Sequence, residues 1–444
     1  MSLNTSFPRT VFYKHFATYK TDVSIIAWRK TAMFLLILFF FSERADAENF
    51  ETEGHLKYRL WHGEDELLDN GYLESLPLHI LDFRLKTAYQ REYLKFIVHD
   101  EVFAISGFRS SDLAPGEGLL PLLQASASND DDKRQIFDLT LQGKEGDDIV
   151  WVNRVDRLMF SYAKGRIVAS VGRQAITWGN AILFPVLDFF NPFSPTQFDR
   201  DYKVGTDMLY SQWLLNDESD IQFVVVPRRD FQTQSIESKE SSYVVKWRTN
   251  VDELSFDFLL SRHFDENLLG GGVSRDLWDG MFRLDVSSVE LVNGDWKFSY
   301  VFNYDRSWVI FAKNLYGFVE YFYNGFGIDS GDYKAPPDFL ISRLLRGEMF
   351  TIGCDYFGTG LRLELTPLLN AYANAFFNLG DESGQAWINL SYDCLENLQI
   401  TASVGLPFGP LGSEFGKSPE GVGVSSSNIA VSGYFQLSYF FGVA

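Results

Sequence analysis

Apolar and polar residues alternate with a period of two along most of the chain after Glu48, in segments of roughly ten residues, the repeated signature of strands that cross a membrane as a barrel wall. In Trp296-Lys-Phe-Ser-Tyr-Val-Phe-Asn-Tyr304, Trp296, Phe298, Tyr300, Phe302 and Tyr304 fall on one side, and Lys297, Ser299, Val301 and Asn303 on the other. Successive side chains of a strand point to opposite faces. One face suits lipid and the other suits water.

The same pattern recurs. Leu81, Phe83, Leu85 and Tyr89 alternate with Asp82, Arg84 and Lys86; Leu254, Phe256, Phe258 and Leu260 with Ser255, Asp257 and Ser261. Trp278, Phe282, Leu284 and Val286 alternate with Asp279, Arg283 and Asp285, Leu361, Leu363 and Leu365 with Arg362 and Glu364, and Leu398, Ile400, Ala402 and Val404 with Gln399, Thr401 and Ser403. A soluble β-sandwich would alternate too, but it would not repeat aromatic residues at strand ends in the manner of membrane girdles. No helical periodicity is evident after Glu48. The expected fold is all-β: a single antiparallel transmembrane β-barrel. Candidate segments number roughly 16 to 19, and because bacterial barrels use even strand numbers, about 16 to 18 strands are expected. Leu395-Glu-Asn397 and Ala163-Lys-Gly165 read as tight turns, whereas 108–135, 325–347 and 406–428 read as long loops.

The last alternating segment runs through Ile429, Val431, Gly433, Phe435, Leu437, Tyr439 and Phe441, against Ser432, Gln436 and Ser438. Outer-membrane barrels typically finish on such a strand, ending in Phe, which the barrel assembly machinery reads. Here Gly442-Val-Ala444 follows the last Phe.

One stretch breaks the alternation. After Gly172 it holds Pro185, Pro192 and Pro195, which cannot donate to a ladder, so it is an irregular connection. Yet it is rich in Phe and Leu, which solvated loops avoid. An inward-folded Phe/Pro-rich loop over 180–203 is therefore expected to narrow the lumen. Arg173, Asp188, Asp199, Arg200, Asp201, Lys203 and Asp207, with Arg228 and Arg229 after the next strand, are the candidate constriction residues, since rings of charge set solute preference. The competing reading is that these charges pair with one another to anchor the loop.

The N-terminal region divides the chain. Arg29 and Lys30 precede an apolar run from Ala32 to Phe41, too short to span a bilayer, and Ala45-Asp-Ala47 supplies small residues for cleavage. This pattern reads as a signal peptide over 1–47 with a long leader, followed by a barrel domain over 48–444.

Composition sharpens this picture. Aromatic residues make up 16% of the chain while charged residues make up 22%, and mean hydropathy is only -0.10. Abundant aromatics without overall hydrophobicity fit a wall with one lipid face and one wet face. The formal net charge of -20 argues against nucleic acid as a partner. Such acidity reads as solvated loops, with a cation-selective lumen as the alternative.

Candidate chemistry is sparse. His55, His62, His79, His99 and His263 are scattered without metal-site spacing, and no Gly-x-Ser-x-Gly elbow is present. The short acidic patch at His62-Gly-Glu-Asp-Glu66 reads as a solvated turn. Neither an enzyme, a cofactor nor a metal is expected. Cys354, grouped with Phe350, Ile352 and Tyr356, and Cys394, grouped with Ile388, Leu390 and Tyr392, are both expected to face lipid as small apolar residues.

Three motifs in the irregular stretch carry a resemblance. Gly-Arg-Gln-x-x-x-Trp-Gly at Gly172 to Gly179, Leu-Asp-x-x-Asn-Pro at Leu187 to Pro192 and Lys-x-Gly-x-Asp at Lys203 to Asp207 resemble a family of porin-like outer-membrane proteins, loosely similar to the alginate-export barrels. The resemblance implies a β-barrel with a channel or export role and names no substrate or binding residue.

The expected function is a porin-like channel for diffusion of small polar or charged solutes, in the outer membrane of a Gram-negative bacterium after export through the Sec pathway. The alternative is a structural or export-complex barrel with a closed lumen. Expected partners are outer-membrane lipid and lipopolysaccharide, the barrel assembly machinery and small polar solutes, with a homo-oligomer left open.

Overall fold

In the computed structural model, the described residues are 49–63, 77–107, 129–145, 149–195, 202–329, 333, 336–416 and 431–442. The expected signal peptide over 1–47 lies outside them, as do most of 108–135, residues 64–66 of the acidic patch, 417–428 and Ile429.

Most of the alternating segments form strands. The strands are β1 (Phe50–Gly63), β2 (Leu78–Arg91), β3 (Leu94–Ser106), β4 (Thr140–Glu145), β5 (Ile149–Lys164), β6 (Ile167–Gln174), β7 (Thr206–Leu214), β8 (Ser219–Val226), β9 (Ser242–Val251) and β10 (Leu254–His263). They continue with β11 (Glu266–Leu277), β12 (Gly280–Glu290), β13 (Trp296–Ile310), β14 (Lys313–Tyr323), β15 (Asp355–Thr366), β16 (Leu369–Asn378), β17 (Ser383–Leu395), β18 (Leu398–Phe408) and β19 (Ser432–Gly442). Among the described residues, two short helices lie in the connections, α1 (Asn129–Arg134) and α2 (Asp338–Leu345).

All 19 strands belong to one sheet, and β1 pairs with both β19 and β2, so the sheet closes on itself. β4 is not a full wall strand. It pairs with Ile149 to Arg154 of β5, while β6 takes Leu158 to Lys164 on the same flank. The ring is therefore an antiparallel barrel of 18 strands, an even number.

Side chains divide by strand parity as the sequence predicts. On β13, Phe298 is 50% and Phe302 43% exposed, whereas Val301 and Asn303, on either side of Phe302, are each 1% exposed. The outward faces of β9 and β10 show Tyr243, Val245, Trp247, Phe258 and Leu260, all exposed. An apolar belt of this kind is stable only against acyl chains, and a closed ring leaves no unpaired strand edge within them. The chain is a transmembrane β-barrel of the outer-membrane type.

Two-residue turns join successive strands at one end, at Glu92-Tyr93, Gly165-Arg166, Asp252-Glu253, Trp278-Asp279, Phe311-Ala312 and Glu396-Asn397; the opposite end carries the long connections. Trp278 thus belongs to a turn, not to the strand face expected for it. It has φ 50°, and Asp279 has φ 59°, the left-handed pair that a tight antiparallel hairpin demands.

Two further expectations are corrected. The connection over 325–347 contains α2, whose Leu340 and Arg343 are buried. Cys354 precedes β15, and its expected lipid-facing neighbours Ile352 and Tyr356 are fully buried within interior clusters. Cys394 lies beside a register shift near the end of β17 whose outward face shows Ile388, Leu390 and Tyr392. Both thiols are free.

Candidate functional site

The irregular stretch runs from Ala175 to Gly205, between β6 and β7. Its prolines keep it out of the sheet, so its backbone N–H groups must find other acceptors, and burial makes that requirement strict. Carboxylates on the inner face of the wall meet it. The N–H groups of Ile182, Leu183 and Phe184 donate to Glu320 of β14 at 2.6, 2.9 and 2.8 Å. Asp285 of β12 accepts from the Asn180 backbone at 2.5 Å and from its side-chain amide at 2.7 Å. Asn303 of β13, between them, donates to the Asn180 carbonyl at 3.1 Å and to Glu320 at 3.2 Å.

Packing reinforces these bonds. Phe184 stacks on Phe322 with ring centroids 5.0 Å apart and lies 5.5 Å from Tyr356. The wall carries glycines where the segment presses against it. A Cβ at Gly358 would come within 2.4 Å of Leu183 Cδ1, and one at Gly270 within 2.6 Å of Leu187 Cδ2.

The other end of the segment is held elsewhere in the ring. The β3/β5 register shifts at His99/Asp100, an extra residue that turns the buried Asp156 and its neighbour Arg157 to the same side. Asp156 accepts from the Gly205 N–H at 2.9 Å, and Arg157 donates to the Lys203 carbonyl at 2.7 Å. Around them, Arg84 pairs with Asp156 and Glu101, Arg154 with Glu101 at 2.6 Å and Arg157 with Asp156 at 2.7 Å. The Arg84 guanidinium lies 4.3 Å from the Tyr202 ring centroid.

β5 and β14 face one another across the ring. Eight strands lie between them in either direction, β6 to β13 one way and β15 to β19 with β1 to β3 the other. The segment over 175–205 therefore reaches the inner wall on both sides.

Two ion pairs form among the expected constriction residues. Arg173 pairs with Asp207 at 2.9 Å and Asp132 at 2.7 Å and donates to the Phe137 carbonyl at 2.6 Å, which fastens the segment after α1. Asp188 pairs with Lys203, whose ammonium also donates to the Ile176 carbonyl at 3.0 Å. Burial pushes the Asp188 carboxyl up to about 6, with Lys203 opposing, and burial also lowers the Lys203 ammonium. Arg228 donates to Ser242 Oγ at 2.5 Å with its guanidinium 4.4 Å from the Phe264 ring. Arg229 donates to the Ile136 carbonyl. Asp199, Arg200 and Asp201 lie outside the described residues.

Glu320, Asp156 and Arg157 were not singled out from the sequence. Glu320 carried a usable signal: in Leu315 to Tyr323 it is an acidic residue amid aromatic and aliphatic ones, and a lone acid on the inner face of an apolar strand needs a partner. The pairing of Asp156 with Arg157 depends on a bulge that strict alternation hides.

No protein-family model matches the chain, and no curated protein matches it in sequence. Among solved structures, the outer membrane protein opdK from Pseudomonas aeruginosa is 8% identical with a TM-score of 0.49, over 89% of this chain and 100% of that one. OccAB4 of Acinetobacter baumannii is 9% identical with a TM-score of 0.48, over 89% and 98%. A BenF-like porin from Pseudomonas fluorescens is 8% identical with a TM-score of 0.49, over 89% and 98%.

Proposed function

We propose that this barrel is a porin-like outer-membrane channel for diffusion of small polar or charged solutes, through a lumen narrowed by the 180–203 loop. The observation that carries the reading is the fastening of one connection to opposite walls, by Glu320 and Asp285 on one side and by Asp156 and Arg157 on the other. A segment held in this way lies in the path of anything moving along the barrel axis. The inner wall carries polar side chains, as in Lys246 and Arg248 flanking Asp257 at 3.3 and 2.9 Å, and in the buried Asn389 and Gln436. Such a lining suits hydrated solutes. On this reading the chain reaches the outer membrane by Sec export and insertion by the barrel assembly machinery, with lipid and lipopolysaccharide around its belt.

A second reading, a structural or export-complex barrel with a closed lumen, draws on the connection after β18. Its Phe415 packs on Phe376 with centroids 5.1 Å apart, in the same cluster as Leu183 and Phe184. Deleting Phe184 to Ser194 and recording in planar bilayers separates the two. A channel gives conductance steps that enlarge on deletion; a scaffold gives none before deletion and loses a partner in pull-down after it.

A further inference from the structure

The 175–205 segment does not fill the space beside it. Between it, the inner faces of β11 to β14 and the stretch 343–351 lies a cavity. Its surface is largely apolar: Phe184, Phe189 and Phe193 of the segment face Val289 and Phe322 of the wall, with Met349 alongside. Pockets for small organic molecules have this kind of lining.

The charged groups at its edge are already matched within the protein. Asp188 is paired with Lys203, and Glu266 with Arg343. Glu348 is held by Arg346 at 2.6 and 3.0 Å and by His263 at 2.9 Å. Arg343 and His263 are the basic groups on the lining. Arg343 also donates to the Phe339 carbonyl at 3.1 Å and stacks 4.1 Å from the Phe326 ring centroid, while Nδ1 of His263 is engaged with Ser242 Oγ at 2.7 Å. An anion entering here would have to take a cation from its carboxylate, and a cation would have to take a carboxylate from its guanidinium or ammonium. Neither exchange compensates the loss of hydration. An uncharged ring system meets no such cost, gains by burying apolar area, and finds the Ser287 and Ser299 side chains on the lining for orientation.

We infer that this cavity is a binding site for a small uncharged organic molecule with an aromatic or similarly apolar ring body. The inference does not depend on conductance, because the site is defined by its lining and its test reads binding.

The test is calorimetric titration of the purified barrel at neutral pH with 2-naphthol and, separately, with 2-naphthoate, which share a ring system and differ in charge. Val289→Trp fills the cavity from the wall, and Leu268→Trp does so from the neighbouring strand. Heat-modifiable migration of each variant reports whether the barrel has formed. The expected result is 2-naphthol binding at least about tenfold tighter than 2-naphthoate, lost by about tenfold or more in whichever filled variant migrates as a folded barrel. Equal or tighter binding of 2-naphthoate, unchanged 2-naphthol binding in a folded filled variant, or no binding of 2-naphthol by the unaltered barrel would each overturn the assignment.

Discussion

Asp156 of β5 and Glu320 of β14, on opposite sides of the barrel ring, hold the same connection, the first through the N–H of Gly205 and the second through the N–H groups of Ile182, Leu183 and Phe184. Each is a buried carboxylate on the inner wall. Each offers acceptor capacity to a backbone that its prolines have excluded from the sheet. Together they fasten to the inner wall a connection that could have hung in solvent.

Glu320→Ala leaves three backbone donors without their acceptor, at about 1–3 kcal/mol for each group that stays buried. The segment is expected to detach from the far wall rather than bear that cost. Bilayer recordings of this variant should show larger and noisier steps than the unaltered barrel, with Glu320→Gln intermediate because its amide oxygen still accepts. Identical traces for all three would remove Glu320 from the account.

Gly358→Val tests the packing side of the same contact. A side chain there meets Leu183 within 2.4 Å of its Cβ, and overpacking of this kind typically costs about 1–3 kcal/mol. The temperature at which the folded band is lost on unboiled gels should fall, and Leu183→Ala should restore part of the loss.

The buried cluster around Asp156 should matter far more to stability than exposed ion pairs. Asp156→Asn leaves Arg84 and Arg157 without their shared counter-charge, a change worth about 3–5 kcal/mol when a buried pair is broken. Arg275→Ala, which breaks an exposed pair with Glu253, should change stability by less than about 1 kcal/mol. Urea unfolding in matched micelles compares them; equal midpoints would show that the Asp156 cluster is not an anchor.

Much of this was legible in the sequence. The wall was, because a two-sided environment forces a period of two, and β13 shows it residue by residue. The departure of 175–205 from the sheet was also legible, since Pro185, Pro192 and Pro195 forbid a ladder. Its anchors were not. Glu320 and Asp156 are far from the segment in sequence, and only ring closure sets β14 opposite β5. The turn at Trp278-Asp279 was hidden because an aromatic residue in a left-handed turn imitates the next outward position of a strand. α2 was hidden because its length of two turns is too short for a helical period to stand out.

A pH dependence follows from Glu414, in the connection after β18. Burial raises its carboxyl from an ordinary 4.5 to about 7, against hydrogen bonds from Tyr356, the Ile352 N–H and Asn378. A folded-state value above the unfolded one means that this group's contribution is complete below about 4.5 and is lost as pH rises through about 7. Proteolysis within 409–416 should therefore become faster across that interval, and Glu414→Gln should flatten the profile. A profile of the opposite slope would contradict the assignment.

The crossing of the barrel by 175–205 is tested most directly by cross-linking Leu183→Cys to Gly358→Cys in a chain whose Cys354 and Cys394 are replaced by serine. Oxidation of intact outer membranes should join the two engineered thiols within one chain and leave the barrel folded, because the segment rests against the β15 wall. Folded barrel in which these thiols stay unlinked, under conditions that oxidise a control pair on adjacent wall strands, would show that the segment does not lie across the lumen.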